Sequence, residues 1–471
     1  MAAAVSFFLA AATSAFGYQL TFQPRISVGL EYTDNVFLDP DNAKDVNGNP
    51  LPGPVDDFIY TTTPGFTAEM LSRRSGLSLD YDFTYAAYND FTDQNNWRHS
   101  ASLSAWTEFS RGMRLEANDA FIRTEDPLGG ARNFEINRPA DSITPQDPTT
   151  IRSREPYSEN TASLRFTHQF GRENSYFLEY VNSIRADDDP EGDDSIEHLP
   201  SAGLTYWFGP RWGTEVQGSY EHSNFDINPD IRAWYASLRM IRRLSRRLEV
   251  FGQYRHRVVD QKGDLQDLLT TTRRTLEDYK VYSPEVGMSY SISHDLAMEA
   301  TAGFFYRDND VTDSQSGFSG TFNLTKTLRR GSTRLYGAAG YGESLTSRSS
   351  LGPSKFYEIG VTANYEVIRN MQIDGFVSYR RDEYDEDQRL LLADAVAPGA
   401  VGDLSQADLG RDEDRYGAGI GMRYAFRTWL SCTLNYSYQR VNSTRDIDEY
   451  DENRATFFIT LTPPRPWRTV R

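Results

Sequence analysis

The sequence predicts an all-β chain: a transmembrane antiparallel β-barrel of about twenty strands, eighteen being the alternative count, with short periplasmic turns and long extracellular loops. Three observations predict it. Apolar and polar side chains alternate along one stretch after another, the connections between stretches alternate short and long, and aromatic residues collect at both ends of the apolar rows.

Successive side chains of a strand point to opposite faces. In 77–87, Leu77, Leu79, Tyr81, Phe83, Tyr85 and Ala87 share one face, while Ser78, Asp80, Asp82, Thr84 and Ala86 share the other. The pattern returns in 296–307, 357–367, 416–426 and 430–439, and in 26–32. A wall that is apolar outside and polar inside is what hydrocarbon and a wet lumen select. No segment after the first residues carries a comparably long apolar stripe at helical spacing.

One set of connections is short, basic or turn-like, such as Ser72–Gly76, Ser110–Gly112, Arg242–Arg247, Arg329–Gly331 and Arg427–Thr428. The other is mostly longer and often acidic: 38–57, 125–157, 186–199, 259–279 and 382–413. Turns at the periplasmic end and loops outside fit this asymmetry. The loops 125–157 and 382–413 are the candidates to fold inward. A closed sheet requires the first strand (25–37) to pair with the last (455–462).

Phe109, Phe170, Phe208, Trp212, Phe426 and Trp429 flank the short turns, and Tyr85, Tyr220, Tyr254, Tyr306 and Tyr438 sit toward the loops. Rings at the two depths of the bilayer interface keep an apolar body in lipid and a polar edge in water.

Residues 1–17, apolar and ending in Ala15-Phe16-Gly17, read as a signal peptide, 18–462 as the barrel, and 463–471 as a proline-rich C-terminal tail. Proline cannot extend a ladder, so the last strand is expected to stop before Pro463. The 471 residues carry a formal charge of -18, and the mean hydropathy is -0.61. Polar loops and lumenal faces account for that low value. The charge argues against nucleic acid, which wants clustered Lys and Arg. Cys432 stands alone, so it forms no internal disulfide, and it reads as a small apolar residue.

Candidate chemistry is sparse. Asp39, Asp41 and Asp45, with Asn47, Gly48 and Asn49, form a partial calcium-loop pattern that lacks the terminal glutamate. A solvated acidic loop is the default reading. The expected lumen lining is Glu31, Asp80, Asp82, Glu108, Glu299, Glu358, Glu366 and Asp374 with Arg165, Arg239, Arg255 and Arg423. Such a mixed-charge wall can hydrogen-bond solutes and hold a field across a pore. No His-Glu-x-x-His, Gly-x-Ser-x-Gly or phosphate-loop motif is present, so neither an enzyme nor a cofactor is expected. His222 and His256, near strand ends, are the only faint candidates for rim chemistry, and two surface histidines are the default reading.

The stretch from Pro24 to Phe37, which ends in the signature Tyr32-Thr33-Asp34-Asn35-Val36-Phe37, resembles the first strand of the β-barrel porins found with exopolysaccharide gene clusters (the β-barrel porin 2 type). The resemblance implies a conduit in a Gram-negative outer membrane that exports extracellular polysaccharide with periplasmic export proteins. Outer-membrane lipid and lipopolysaccharide are its expected surroundings. A general or solute-specific diffusion porin is the alternative, and a non-transporting scaffold barrel a further one.

Overall fold

The computed structural model describes residues 18–40, 50, 52–126, 154–188, 194–226, 230–262, 278–310, 313–344, 352–384, 412–444 and 448–470. The first strands are β1 (Gln19–Thr33), β2 (Asp57–Leu71), β3 (Ser75–Tyr88), β4 (Asn96–Ser110), β5 (Met113–Thr124), β6 (Tyr157–Phe170) and β7 (Asn174–Asp187). Then come β8 (Ser195–Trp207), β9 (Trp212–Phe225), β10 (Asp230–Arg243), β11 (Leu248–Lys262), β12 (Tyr279–Ser291), β13 (Leu296–Asn309) and β14 (Gln315–Leu328). The chain ends with β15 (Gly331–Ser344), β16 (Gly352–Ile368), β17 (Met371–Tyr384), β18 (Asp412–Arg427), β19 (Leu430–Ser443), β20 (Tyr450–Leu461) and β21 (Trp467–Val470). A 3-10 turn, Thr92–Gln94, follows β3.

From β1 to β20 each strand pairs antiparallel with its sequence neighbour, and β1 also pairs with β20 and β21, which closes the sheet. β20 and β21 are two pieces of one final strand, so the barrel has twenty strands. The ladder stops at Leu461, as the prolines require. It then resumes, with Phe22 opposite Trp467 and Gln19 opposite Val470. Part of the expected tail is therefore strand. β1 begins at Gln19 rather than 25, and its first residues would otherwise present a bare edge. The rings of Phe22 and Trp467 stack 5.6 Å apart and hold the resumed pairing.

β1 also ends earlier than expected. Asp34 to Phe37 leave the sheet, and Asn35 and Val36 become fully buried. Internal prolines are accommodated where the register skips a pair: Pro64 between Thr62 and Gly65, Pro200 between His198 and Ser201, and Pro284 between Tyr282 and Glu285. Gly112 and Gly171 adopt φ of 92° and 71° in two of the short turns, a conformation a Cβ would strain.

The outward rows are apolar and exposed. Ile26, Val28 and Leu30 on β1, Ile359 and Val361 on β16, and Ile420 on β18 all face away from the lumen. Trp97 lies against Tyr85 at 4.5 Å and Trp234 against Tyr220 at 4.6 Å, toward the loops. Phe208, Trp212, Phe426 and Trp429 are exposed at the turn end. The architecture is a transmembrane β-barrel with an aromatic ring at each end of an apolar belt. Arg at an outward mid-strand position is expected to cost about 2–4 kcal/mol. Ile359→Arg should therefore shift the urea titration of the liposome-folded barrel by that amount, whereas Thr362→Arg, on the inner face of the same strand, should shift it little.

Candidate functional site: the lumen and its narrowed loop end

All twelve expected lining residues lie on the lumenal face, by strand alternation and register. They do not form one site. Asp80 and Asp82 are brought together by Arg25, an arginine the sequence reading passed over. Its Nη2 donates to Asp80 Oδ1 and to Asp82 Oδ2, both at 2.6 Å, and its Nη1 reaches Thr67 Oγ1 at 2.9 Å. Arg165 lies 3.2 Å from Glu179, over the ring of Phe177 at 4.1 Å. Arg239 donates to Gln253 at 2.8 Å and sits over Phe251 at 4.3 Å. Arg255 is bound to Glu285. Glu358 faces Arg380 at 3.6 Å, and Glu108 lies 3.9 Å from Arg114 in the open turn half. Asp374 and Arg423 occupy neighbouring lumenal positions on β17 and β18, while Glu299 and Glu366 are exposed to the lumen nearer the turns.

Glu31 belongs to a different environment. It is fully buried at the loop end, where Arg454 Nε donates to its Oε1 at 2.8 Å across the β1–β20 closure. Arg454 also reaches Asp126 Oδ2 at 3.1 Å. Arg98 Nε donates to Glu125 Oε1 at 2.8 Å, and the Tyr88 hydroxyl donates to the same oxygen at 2.8 Å. Arg154 donates to the Val36 carbonyl at 2.6 Å and lies 3.8 Å from Asp126. Thr33 donates to Glu452 at 2.8 Å. All seven charged members are at most 7% exposed. Ions removed from water this completely are stable only when paired and hydrogen-bonded. Glu125, Asp126 and Arg154 are the described ends of the 125–157 connection, and the network binds them to the inner wall. Residues 127–153 and 385–411, at the centres of the two loops expected to fold inward, lie outside the described residues.

The Tyr32–Phe37 motif supplies the neighbouring part of this plug. The Asn35 carboxamide donates to the carbonyls of Asp39 and Asp451 at 2.8 and 3.0 Å, and its oxygen accepts from the Asp39 amide at 2.8 Å. Asp34 accepts from the Asn453 amide and side chain at 2.7 and 2.8 Å. Val36 packs with Ile59, Ala86 and Tyr88. Leu38, left-handed at φ 56°, packs on Val441 and Tyr450. That backbone costs about 1–2 kcal/mol and persists because the surrounding packing fixes it.

A second inward mass lies about ten strands away, on the opposite wall. The β14–β15 ladder ends at Gly320 opposite Ala339, while β13–β14 and β15–β16 pair further toward the loops. The upper limb of β15 leans inward, so Tyr341, on the outward parity, meets the inward residues Tyr279 and Phe305 at 6.2 and 5.8 Å. Ile231, Ala233, Val259 and Val281 complete this apolar cluster. The loop end is thus narrowed from two sides. The turn half is lined mainly by half-exposed polar side chains.

Asp39 is described, whereas Asp41 and Asp45 of the partial calcium pattern lie outside the described residues. Among the described residues no cluster of His, Cys, Asp and Glu has the makings of a metal site. His222 and His256 lie on the outward face, and His256 packs on Tyr282 at 4.7 Å. They stand on the outer surface and not at the rim of the lumen, in keeping with the default reading of two surface histidines.

No family model matches the chain, and no curated protein matches it. Among solved structures it is similar to a BenF-like porin from Pseudomonas fluorescens, at 11% identity over 94% of this chain and 98% of that one, with a TM-score of 0.40. It is similar to the outer membrane protein opdK from Pseudomonas aeruginosa, at 10% identity over 94% and 98% of the two chains, with a TM-score of 0.41. It is also similar to a mutant ferric enterobactin receptor, PfeA, from the same organism, at 12% identity over 96% and 80%, with a TM-score of 0.45. These are a porin, an outer membrane protein and a receptor. The polysaccharide-associated family suggested by Tyr32–Phe37 is matched by no family model.

Two outcomes follow from the buried network. Arg98→Ala strands Glu125 and is expected to cost about 3–5 kcal/mol in the same urea titration. Burial pushes the Glu125 carboxyl up, but the Arg98 guanidinium and the Tyr88 hydrogen bond outweigh it and hold the group below its ordinary value. A lowered folded value contributes stability that is full above the unfolded pKa and fades as pH falls through the folded one. The wild-type melting temperature should therefore drop below about pH 4, and Glu125→Gln should flatten part of that drop.

Proposed function

We propose that the protein is a diffusion porin of a Gram-negative outer membrane, passing small hydrophilic solutes through a wet lumen narrowed at its loop end. The observation that carries this reading is the distribution of charge inside the barrel. Arginine–carboxylate pairs stand around the wall, from Arg25 with Asp80 and Asp82, through Arg165 with Glu179 and Arg257 with Glu221, to Arg380 with Glu358. Guanidinium groups can take bidentate carboxylates, and the acids can take hydroxyls and ammonium groups, so the wall suits small polar solutes of either sign. The turns face the periplasm and the loops the outside, with lipid and lipopolysaccharide around the apolar belt.

Polysaccharide export rested on the Tyr32–Phe37 resemblance. Asn35 and Val36 are packed into the plug and line no path, so the diffusion reading has the better support. It calls for no periplasmic export partner and no catalytic residue.

Reconstitution of the mature chain in planar bilayers tests the reading. Discrete ohmic channels are expected, and a silent membrane would leave only a scaffold role. Arg25→Ala should shift the reversal potential in a salt gradient toward cation selectivity, because Asp80 and Asp82 lose their counter-charge. Tyr341→Ala should raise single-channel conductance by loosening the inward limb of β15.

A further inference from the structure

The outer wall of the barrel has a depression near the turns joining β9 to β13. Gly252 on β11 and Ala300 and Ala302 on β13 project little or no side chain there, and their outward positions form its floor. Trp212, Met240 and Val250 border it, and Val286 and Met288 of β12 stand between Gly252 and the two alanines. The depression holds about 710 Å³, and apart from Arg242 the side chains turned to it from outward positions are apolar. It runs from the turn-end aromatic ring toward mid-barrel, the depth of one leaflet.

Its foot is basic. Arg242 is exposed on the outward face and lies over the Trp212 ring at 5.0 Å. Arg211, Arg246 and Arg247 are exposed on the adjoining turns. Their neighbour Arg243 points inward and is bound to Glu173 at 2.5 Å and Glu249 at 2.6 Å. Arg211, Arg242, Arg246 and Arg247 have no such carboxylate among the described residues. An open apolar depression that has Arg242 in its lining and exposed Arg211, Arg246 and Arg247 on the adjoining turns matches a molecule with a hydrocarbon chain and a phosphate in that order. Arginines at headgroup depth attract anionic lipid and bind phosphate through paired hydrogen bonds.

We propose that this groove binds an anionic phospholipid of the periplasmic leaflet, with one acyl chain along Gly252, Ala300 and Ala302 and the phosphate at Arg242. The site rests on the reading of the outward face as bilayer-facing. Here an apolar recess and a charged anchor occur together.

Brominated-chain lipids test it, because bromine quenches a nearby indole and Trp212 borders the groove. The barrel is reconstituted in liposomes of phosphatidylcholine doped with brominated phosphatidylglycerol, or with brominated phosphatidylcholine at the same mole fraction. The Trp212 signal is isolated by difference from Trp212→Phe. Quenching by the anionic lipid is expected to report an occupancy about fivefold that of the neutral one, the enrichment one arginine near the surface supplies. Arg242→Gln should remove the preference, and Ala300→Phe, which fills the groove, should reduce quenching by both lipids. Equal quenching in the wild type, or a preference surviving both variants, overturns the site while the bilayer reading stands. A barrel that does not float with the liposomes overturns both.

Discussion

A sheet surrounded by hydrocarbon cannot leave a row of peptide groups unpaired, and this constraint organises the whole molecule. Its solution is the junction of β1 with β20 and β21. The junction is not a plain ladder. It runs from Thr33 opposite Arg454 to Ile26 opposite Leu461, skips the proline segment, and resumes from Phe22 opposite Trp467. The Glu31–Arg454 bond fastens it from inside at the loop end, and the Phe22–Trp467 stack fastens it at the other. Other features of the lumen rely on that closure, because Arg454 holds Asp126 as well as Glu31.

The interior divides by depth. Toward the turns, paired charges stay in contact with water and shape the field without filling the space. Toward the loops, a buried ionic network and an aromatic cluster occupy opposite walls. The difference follows from solvation: half-exposed pairs such as Arg165 with Glu179 contribute little to stability, whereas Arg98, Glu125 and their neighbours depend strongly on each other.

The period-two alternation revealed the barrel because lipid and water impose opposite demands on adjacent residues. It placed Asp80, Arg239 and Glu358 on the correct face for the same reason. It could not show which of them meet, since the partners lie on other strands at registers that short turns and bulges set. Arg25 was passed over because the motif beginning at Pro24 drew attention to its resemblance and not to its face. Arg98 and Arg454 stood in alternating rows as plain polar positions, and nothing local marks them as buried. Asp34 to Phe37 continue the β-like composition of β1, yet leave the sheet once Asn35 finds the carbonyls of Asp39 and Asp451. The return of Trp467 to β1 was hidden by a sound local rule, since proline does end the ladder, but only for five residues.

Glu31 and Arg454 are 423 residues apart in the chain. The bond that seals the cylinder therefore joins some of the first strand residues to be made with some of the last. Until β20 has been made and delivered, β1 has only one of its two neighbours, and the Glu31 carboxylate has no guanidinium from β20. Sealing therefore waits for the final strand, the partner most distant in sequence from β1. A nascent or clipped chain lacking its final strand would keep an unpaired edge and an orphaned acid, which sets fragments physically apart from finished copies.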